Sequence, residues 1–346
     1  MTPARAFRDL LGGPEPLLAP QVMNPLAAKL AERAGFKAIY LGGGAAGYVN
    51  GFTEAALTLT EFVQLALDIR SACPLPLVLD GTCGWGDPVH LHRTIAMCEA
   101  AGLAGIEIED QLMPKRVHHH IGIEHPIPRD LMVSKIREAV AARRDSDFVI
   151  IGRTNQIRKN QRDDAVRRAE AYKEAGSDML FVLAPTPDDL RFVGERLPPP
   201  LMMMPLRDGL ANLGMSREDL HGLGYRFLVD PMTSLLAMHK ALRLSYEAIA
   251  RGEPDPIGQP SIGTRPDSRD DRYRAVARGG AGDRGRGRRL ARPQTHRRNY
   301  GQTGSLWSRG TGKTRLGRCG WRHPRSFRGS RRHRGRCPAP GRHGKA

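Results

Sequence analysis

The chain has 346 residues, of which 26% are charged, and a formal net charge of +18 at neutral pH. No apolar run approaches the roughly 18 residues of a membrane-spanning helix, and the first residues, MTPARAFRDLLGG, lack the apolar stretch of a signal peptide. The five cysteines form no CxxC motif, and an odd number does not suit a disulfide framework. These features argue against a membrane or disulfide-rich secreted protein and predict a cytoplasmic location.

The positive charge is concentrated at the C-terminal end. Residues 261–346 contain 25 Lys and Arg against 4 Asp and Glu, which leaves 29 basic and 32 acidic residues in 1–260. The basic segment is rich in Arg, Gly and Pro and has no hydrophobic periodicity, so we predict a disordered tail. Two interpretations of the tail stay open: an arm that binds nucleic acid non-specifically, or GC-rich DNA translated out of frame.

Residues 17–251 alternate short apolar runs with amphipathic segments. Eight runs have the length and composition of buried strands: 17–22, 37–43, 76–81, 105–110, 148–154, 178–184, 200–205 and 225–231. Helix-like segments lie between them, and several stop at a glycine (Gly35, Gly102 and Gly176). In 129–144 the stripe Leu131, Ile136 and Val140 faces inward, with Lys135, Arg137 and Glu138 between. The pattern predicts a (β/α)₈ barrel over residues 1–260. A doubly wound open sheet is the competing fold, but this sequence lacks the acidic residue usually found at a later strand end of that fold.

Polar residues stand at the carboxyl ends of several predicted strands. Asp80 and Glu109 offer the oxygen ligands that Mg²⁺ prefers, and Arg153 offers a bidentate fork for a carboxylate. The triplet Gly42–Gly44 lets backbone N–H groups approach an anion closely. Because the strand ends of a barrel converge on one mouth, these residues predict a site for a small acid held on a divalent cation. A strand-end Asp that merely caps the next helix is the competing interpretation for each acid.

Four motifs carry a resemblance to a known family: YLGGG, LVLDGTCGWGD, IEIEDQLMPKRVHH and IIGRTN. Their order and spacing resemble the isocitrate lyase/phosphoenolpyruvate mutase superfamily over about residues 5–250. The resemblance implies a barrel enzyme that uses Mg²⁺ or Mn²⁺ and a small anionic 2-oxo or 2-hydroxy acid. It also implies a homotetramer with exchanged C-terminal helices, whose assembly is uncertain here because the family-like sequence ends where those helices should lie.

The resemblance assigns roles to individual positions. Asp80 and Glu109 correspond to metal-binding acids. The residues implied to bind substrate are Tyr40, Gly42, Gly43, Gly44, Trp85 and Arg153, and those implied to act in catalysis are Lys115, Arg116, His119 and Arg153.

Four positions depart from the family pattern, namely Thr82, Val117, Leu183 and Met204. Thr82 replaces an acid near the metal, and Val117 replaces the loop Cys that transfers a proton in the C–C lyases. Leu183 and Met204 replace a Glu and an Asn. The expected activity is therefore cleavage of a C–C bond in an oxaloacetate- or methylisocitrate-like dicarboxylate through an enolate. The alternatives are a phosphonomutase acting on a P–C bond and a barrel that binds a small acid without turnover.

The three consecutive histidines His118, His119 and His120 allow three interpretations. In the first interpretation one of them, His119 by resemblance, serves as general acid or base. In the second all three are solvated or structural, and in the third they contribute to a metal site. The last is disfavoured because a metal site usually draws its ligands from several elements.

Overall fold

The computed structural model describes residues 1–205 and 213–258, which belong to one compact unit. The predicted basic tail lies outside the described residues. Within them, eight parallel strands alternate with helices, and the (β/α)₈ barrel expected from the sequence is confirmed.

Each strand lies within one of the eight predicted apolar runs. The strands are β1 (Leu17–Pro20), β2 (Ile39–Leu41), β3 (Leu77–Asp80), β4 (Gly105–Glu109), β5 (Val149–Thr154), β6 (Met179–Val182), β7 (Leu201–Met203) and β8 (Tyr225–Asp230). Neighbouring strands pair in parallel from β2 through β8, and β8 pairs with β1. The ring closes between β1 and β2, where the Val22 N–H donates to the Tyr40 carbonyl at 2.8 Å.

The helices surround this ring. They are α1 (Pro3–Leu11), α2 (Pro25–Arg33), α3 (Gly43–Val49), α4 (Leu59–Ala72), α5 (Leu91–Ala100), α6 (Arg129–Ala142), α7 (Arg162–Glu174), α8 (Pro187–Gly194), α9 (Arg217–Gly222) and α10 (Thr233–Arg251). Local sequence explains many of their ends. A reciprocal capping box of Thr58 and Glu61 starts α4, and Gly35, Gly102 and Gly176 follow three helices with φ of +92°, +72° and +107°.

Strand alternation separates two apolar layers. Residues such as Leu79, Ile106 and Ile108 point outward and pack under the helices. Tyr40 and Phe181, with their strand neighbours at two-residue spacing, point into the barrel. The side chains near the carboxyl end of the inward-facing layer form the candidate site.

One prediction about a helix face was wrong. Lys135, expected between the apolar positions of α6, is 2% exposed and donates a hydrogen bond from Nζ to the Cys83 carbonyl. Its long side chain covers apolar surface while the ammonium reaches a polar partner, so it lies on the buried face with Ile136. No helix in the described residues is both long and apolar enough to cross a bilayer.

Candidate active site at the carboxyl ends of the strands

Ionisable side chains converge at one side of the barrel mouth. We call the inward-facing residues of β2–β5 the polar half of the mouth. Its members are Tyr40, Asp80, Glu107, Glu109 and Arg153. All of them are buried. Sequence analysis placed Asp80, Glu109 and Arg153 together, and the structure brings these three side chains to one place.

Asp80 is held by the backbone around it. One carboxylate oxygen, Oδ2, accepts from the Gly43 N–H at 2.9 Å, and Oδ1 accepts from the Thr82 N–H at 2.9 Å. A Cβ at Gly43 would lie 3.0 Å from Asp80 Oδ2, so a side chain there would push against the Asp80 carboxylate. Each carboxylate oxygen has a second lone pair, so Asp80 is fixed in place and still able to bind a cation.

The glycine triplet is already engaged in part. The Gly42 N–H donates to Gln21 Oε1 at 2.9 Å, and the Gly43 N–H is bound to Asp80. Gly44 is exposed. The first two N–H groups therefore support the site's own side chains, whereas the predicted anion contact remains open at Gly44.

Glu109 forms an ion pair with Lys115, which comes from the loop after β4. The Lys115 ammonium also lies 3.4 Å from Glu54 Oε1, and the side chain is 5% exposed. Burial lowers the pKa of Lys115, but the charges of Glu109, Asp80 and Glu54 outweigh it and raise the pKa above its ordinary value. Lys115 is thus a fixed positive charge inside the mouth, in agreement with its predicted place near an acidic substrate.

Arg153 lies between two glutamates of β4. Its Nη1 is ion-paired with Glu107, and its Nε lies 3.5 Å from Glu109 Oε2 and donates to Asn155 Oδ1 at 3.0 Å. The guanidinium also stacks on Phe181, 5.0 Å from the ring centroid. Arg153 is positioned for the predicted role, but part of its hydrogen-bonding capacity already serves Glu107.

Glu107 and Tyr40 interact with each other inside the barrel, where both residues are fully buried. Apart from each other, Glu107 Oε2 and the Tyr40 hydroxyl have no hydrogen-bond partner among the described residues. Burial raises the pKa of Glu107 to about 7 against the opposing charge of Arg153. Burial and the charge of Glu107 raise the pKa of Tyr40 well above its ordinary value.

The donor set of the mouth is the test of whether a divalent cation fits. Four buried carboxylates lie around Lys115 and Arg153; they belong to Glu54, Asp80, Glu107 and Glu109. Among residues 1–205 and 213–258, no three His, Cys, Asp or Glu side chains form a ready metal-binding group. Mg²⁺ commonly uses one or two carboxylates plus water, so the donor set fits that mode of binding.

The loop after β3 is strained. Thr82 and Trp85 adopt φ of +46° and +55°, which is unusual for any residue with a side chain and most costly for a β-branched one. Lys135 donates a hydrogen bond to the Cys83 carbonyl. Burial raises the pKa of the Cys83 thiol far above its ordinary value. A thiol with a raised pKa is a poor nucleophile, and the strained backbone directly follows Asp80.

Trp85 lies away from the polar half of the mouth. Its indole N–H donates to the Leu57 carbonyl at 3.1 Å, and its ring contacts Phe62 at 5.3 Å between centroids. The side chain joins the layer under the helices instead of the inward-facing layer. The structure thus places Trp85 as a support of the loop, not beside the predicted substrate position.

The loop after β4 carries the histidines. Val117 and Arg116 are exposed, and His118 Nδ1 lies 3.2 Å from His125 Nε2. His119 belongs to the short 3₁₀ turn Val117–Ile121, and its side chain and that of His120 lie outside the described residues. The predicted proton-transfer role of His119 therefore remains a prediction.

This loop is tied down at its far end. Glu124 is buried and pairs with Arg158, while its Oε2 accepts a hydrogen bond from Asn155 Nδ2 at 3.4 Å. The His125 N–H donates to Gln111 Oε1 at 2.8 Å. These contacts fix the loop that carries Lys115, in part by joining it to residues that follow β5.

The opposite side of the mouth is apolar. We call the inward-facing residues of β6–β8 and the positions directly after β6 and β7 the apolar half of the mouth. Its members are Phe181, Leu183, Met202, Met204 and Val229. Leu183 and Met204, two of the four positions that depart from the family pattern, both lie here.

Other strand-end acids are structural. Asp110 accepts hydrogen bonds from the Tyr172 hydroxyl at 2.7 Å and Arg168 Nη1 at 3.1 Å, which joins β4 to α7. Asp230 accepts from the Thr233 N–H at 3.0 Å and caps α10. Both acids lie at strand ends, as Asp80 does, and all three accept hydrogen bonds from helix residues, in the case of Asp80 from Gly43 at the start of α3.

Sequence analysis missed two residues of the site. Glu107 stands two positions before Glu109, and strand alternation alone places both on the same face. Glu54 has no comparable signal because it lies in a short turn after α3, where only the tertiary fold brings it to Lys115.

Comparison with known proteins agrees with this geometry. The model of the phosphoenolpyruvate phosphomutase family matches residues 7–250. The chain belongs to this family. It is 33% identical over 245 residues to 2,3-dimethylmalate lyase of Eubacterium barkeri, across 70% of this chain and 84% of the relative. It is 33% identical over 252 residues to 2-methylisocitrate lyase of Escherichia coli, across 72% of this chain and 84% of the relative.

Solved structures extend the likeness. The crystal structure of phosphonopyruvate hydrolase in complex with oxalate and Mg²⁺ superimposes with a TM-score of 0.69 at 28% identity. The match covers 82% of this chain and 99% of the hydrolase. The phosphoenolpyruvate mutase family membership predicted from four motifs is therefore confirmed.

Proposed function

We propose that this protein is a Mg²⁺-dependent lyase that cleaves a C–C bond of a small 2-oxo or 2-hydroxy dicarboxylate through an enolate. The observation that supports it best is the cluster of four buried carboxylates around two cations at the barrel mouth. Such a cluster combines a cation site with fixed positive charges where an anion can react. The curated relatives that cleave 2,3-dimethylmalate and 2-methylisocitrate support the reaction class.

Asp80 would hold Mg²⁺ or Mn²⁺ most directly, because its oxygens keep free lone pairs. Glu109 and Glu54 would contact the cation through its bound water molecules, since both carboxylates already contact Lys115. When bound, the cation supplies Lewis-acid polarisation of a substrate oxygen.

Lys115 and Arg153 stabilise the negative charge that develops as the C–C bond breaks. Both are buried, and a charge in a dry site acts more strongly than one in water. Arg116 on the same loop and the exposed Gly44 supply further contacts for the acid, and Tyr40 faces the same space. These groups orient the substrate so that its reacting end faces the polar half of the mouth.

Proton transfer is assigned to His119. Val117 occupies the position of the proton-transferring Cys and has no ionisable group, whereas His119 lies two residues further along the same turn. An imidazole titrates near neutral pH and serves as donor or acceptor.

Cleavage of a P–C bond is the second candidate. The likeness to phosphonopyruvate hydrolase and the loss of the loop Cys favour it. The apolar half of the mouth favours the C–C reaction instead, because its five described members present only apolar side chains to a doubly charged phosphonate.

The test is turnover by the purified full chain with Mg²⁺. The substrate panel consists of oxaloacetate, 2-methylisocitrate, 2,3-dimethylmalate and phosphonopyruvate, followed by release of pyruvate and of phosphate. Pyruvate without phosphate supports the C–C lyase, and pyruvate with phosphate supports the second candidate. Tight oxalate binding without any turnover would instead show a barrel that only binds a small acid.

The proton-transfer role has its own control. His119→Ala is expected to lower turnover ~10²-fold, whereas His221→Ala, on α9, leaves it unchanged. An unchanged rate in His119→Ala would remove His119 from the mechanism.

We further propose self-association into a homotetramer in the cytoplasm, with no specific nucleic-acid or membrane partner. Leu26 and Leu30 on α2 are 68% and 54% exposed, and they border an apolar groove that Met238 of α10 completes. Light scattering on the full chain gives the mass of the assembly. Leu30→Glu is expected to shift it toward the monomer, and a monomeric wild-type chain contradicts the proposal.

A further inference from the structure

Lys135 of α6 is a buried cation that the proposed reaction does not use. The residue is 2% exposed, and its Nζ donates a hydrogen bond to the main-chain carbonyl of Cys83. This partner is neutral, and burial lowers the pKa of Lys135. Because the transfer of an ammonium from water to a protein interior is unfavourable, a lysine at this position calls for an explanation.

The carbonyl that Lys135 binds belongs to a strained turn. We call residues 81–86, directly after β3, the β3 turn. Its Thr82 and Trp85 have φ of +46° and +55°, in a region that is unfavourable for residues with a side chain. Such a backbone persists only where the surrounding structure holds it in place. Cys83 adjoins Thr82 within the turn, so the hydrogen bond from Lys135 is one of the contacts that hold it.

The β3 turn contacts two of the acids proposed to hold the cation. The Thr82 N–H donates to Asp80 Oδ1 at 2.9 Å, and the Thr82 carbonyl accepts from the Glu109 N–H at 2.8 Å. Asp80 and Glu109 therefore share one neighbour, which adjoins the residue that Lys135 binds. A change in the conformation of the turn would alter the spacing of the two carboxylates.

We propose that Lys135 is a positioning residue of the cation site. Its hydrogen bond to the Cys83 carbonyl holds the β3 turn, and the turn sets the spacing of Asp80 and Glu109 that a divalent cation requires. This inference rests on the proposed function only for the presence of the cation. It gives a role in the site to a residue of α6, which acts through the turn and not by contact with the substrate.

The charge of Lys135 and its hydrogen bond have opposite effects on cation binding. The ammonium interacts electrostatically with Asp87, Glu109 and Asp110, and a positive charge near these acids repels an incoming cation. If the charge were its main effect, removal of the ammonium would tighten Mg²⁺ binding. If the hydrogen bond positions the turn, removal weakens Mg²⁺ binding. The direction of the change therefore separates the two roles.

The test is calorimetric titration of the full chain with Mg²⁺ alone, so that it does not depend on turnover. Lys135→Met keeps an unbranched side chain and removes the ammonium. It is expected to raise the Kd for Mg²⁺ about tenfold, the lower end of the range for residues that orient metal ligands. The melting temperature should change by less than about 4 °C, because loss of the buried charge offsets loss of the hydrogen bond.

Arg70→Met is the matched control at the other end of β3. Arg70 Nη1 donates to the Cys73 and Leu75 carbonyls at 3.2 and 2.6 Å, just before the strand, and burial lowers its pKa as it does for Lys135. The variant loses two hydrogen bonds and should lower the melting temperature. It should leave the Kd for Mg²⁺ unchanged, because the cation site lies at the carboxyl end of β3.

A second variant tests the turn without removing a charge. Thr94 Oγ1 donates to the Gly84 carbonyl of the β3 turn at 3.1 Å. Thr94→Val keeps the shape of the side chain, removes this donor and is expected to raise the Kd for Mg²⁺ several-fold. It decides the question if Lys135→Met does not fold.

Mg²⁺ binding that is unchanged or tighter in Lys135→Met overturns the proposal, as does an equal loss of affinity in Arg70→Met, which would show a general loosening of the fold. If Lys135→Met does not fold, an unchanged Kd in Thr94→Val has the same meaning. Absence of Mg²⁺ binding by the wild-type chain removes the cation site and this role with it. Mg²⁺ binding by the wild-type chain without turnover counts against the proposed reaction alone and leaves the role of Lys135 in place.

Discussion

The two halves of the barrel mouth are built from the same kind of strand and differ in the inward-facing side chains nearest the carboxyl ends, since Val78 and Ile151 deeper in β3 and β5 are apolar too. The polar half contributes carboxylates, a guanidinium and a phenol, whereas the apolar half contributes only hydrocarbon, thioether and aromatic groups. Arg153 stacks on Phe181 where the two halves meet.

This difference divides the work of recognition. The polar half can hold a cation and stabilise charge, but the apolar half can offer only shape and desolvation. In the proposed reaction a substrate would be oriented by one end, with its reacting oxygens toward β2–β5 and its less polar end toward β6–β8. The loss of polar groups at Leu183 and Met204 reinforces the asymmetry.

The largest effect is expected from Asp80→Asn. The variant removes the charge that would hold the cation, so Mg²⁺-dependent turnover should fall by ~10²–10³-fold. The measurement is kcat/KM as a function of Mg²⁺ concentration.

Asp230→Asn is the matched control, because Asp230 also ends a strand but caps α10. It should cost about 1 kcal/mol of stability and leave the Mg²⁺ dependence unchanged. If the two variants behave alike, the polar half is not the cation site.

The second effect is a dependence of stability on pH. Burial raises the pKa of Glu107 from 4.5 to about 7 in the folded chain. Between these values the folded state binds more protons than the unfolded state, so the free energy of unfolding falls as pH rises through that window. The loss is up to about 3 kcal/mol, measured by urea unfolding in EDTA.

Glu107→Gln should remove this contribution, and saturating Mg²⁺ should reduce it because a cation favours the ionised carboxylate. An identical pH dependence in Glu107→Gln would assign the effect to other groups.

The third effect concerns Thr82. Thr82→Asp adds a carboxylate beside Asp80 and should raise Mg²⁺ affinity about tenfold, or about 1.4 kcal/mol. Thr82→Asn is the control, since Asn also tolerates the left-handed backbone at φ +46°. Both variants should gain stability by relieved strain, and only Thr82→Asp should change the calorimetric Mg²⁺ affinity. A gain of affinity in both would mean that backbone strain, not charge, limits binding.

The smallest effect is expected in the apolar half. Met204→Leu conserves volume and should change stability by less than about 1.5 kcal/mol without affecting turnover. Met204→Asn restores a polar group and should improve kcat/KM two- to threefold for substrates with a second carboxylate, relative to those with a methyl group. Equal changes for both substrate types would show that the apolar half does not contact the substrate.

Sequence analysis predicted the fold because each strand is a short apolar run and most helices are bounded by caps or glycines. It also placed Asp80, Glu109 and Arg153 together, since strand ends of a barrel converge. It could not decide between the metal-binding and the helix-capping interpretation of Asp80, because Asp80 and Asp230 are both strand-end acids, and in the structure each accepts from the first residue of a helix.

The remaining failures have particular causes. Lys135 was wrongly placed outside because a periodicity argument treats lysine as exposed, whereas its stem can be buried. Glu107 is predictable from alternation along β4, but a rule that considers only strand-end residues does not include it. Glu54 could not be found without the fold. The orientation of the Trp85 side chain depends on a positive φ, which cannot be predicted from the sequence.

The position of Lys115 has a consequence for how the site is filled. Its ammonium, attached to the protein by the loop after β4, already lies among Glu109, Glu54 and the charge of Asp80. A tethered group of this kind has an effective local concentration in the millimolar range, so it competes with any free ion for the same oxygens. The chain therefore carries its own internal counterion, and a divalent ion held by Asp80 would have to share Glu109 and Glu54 with it.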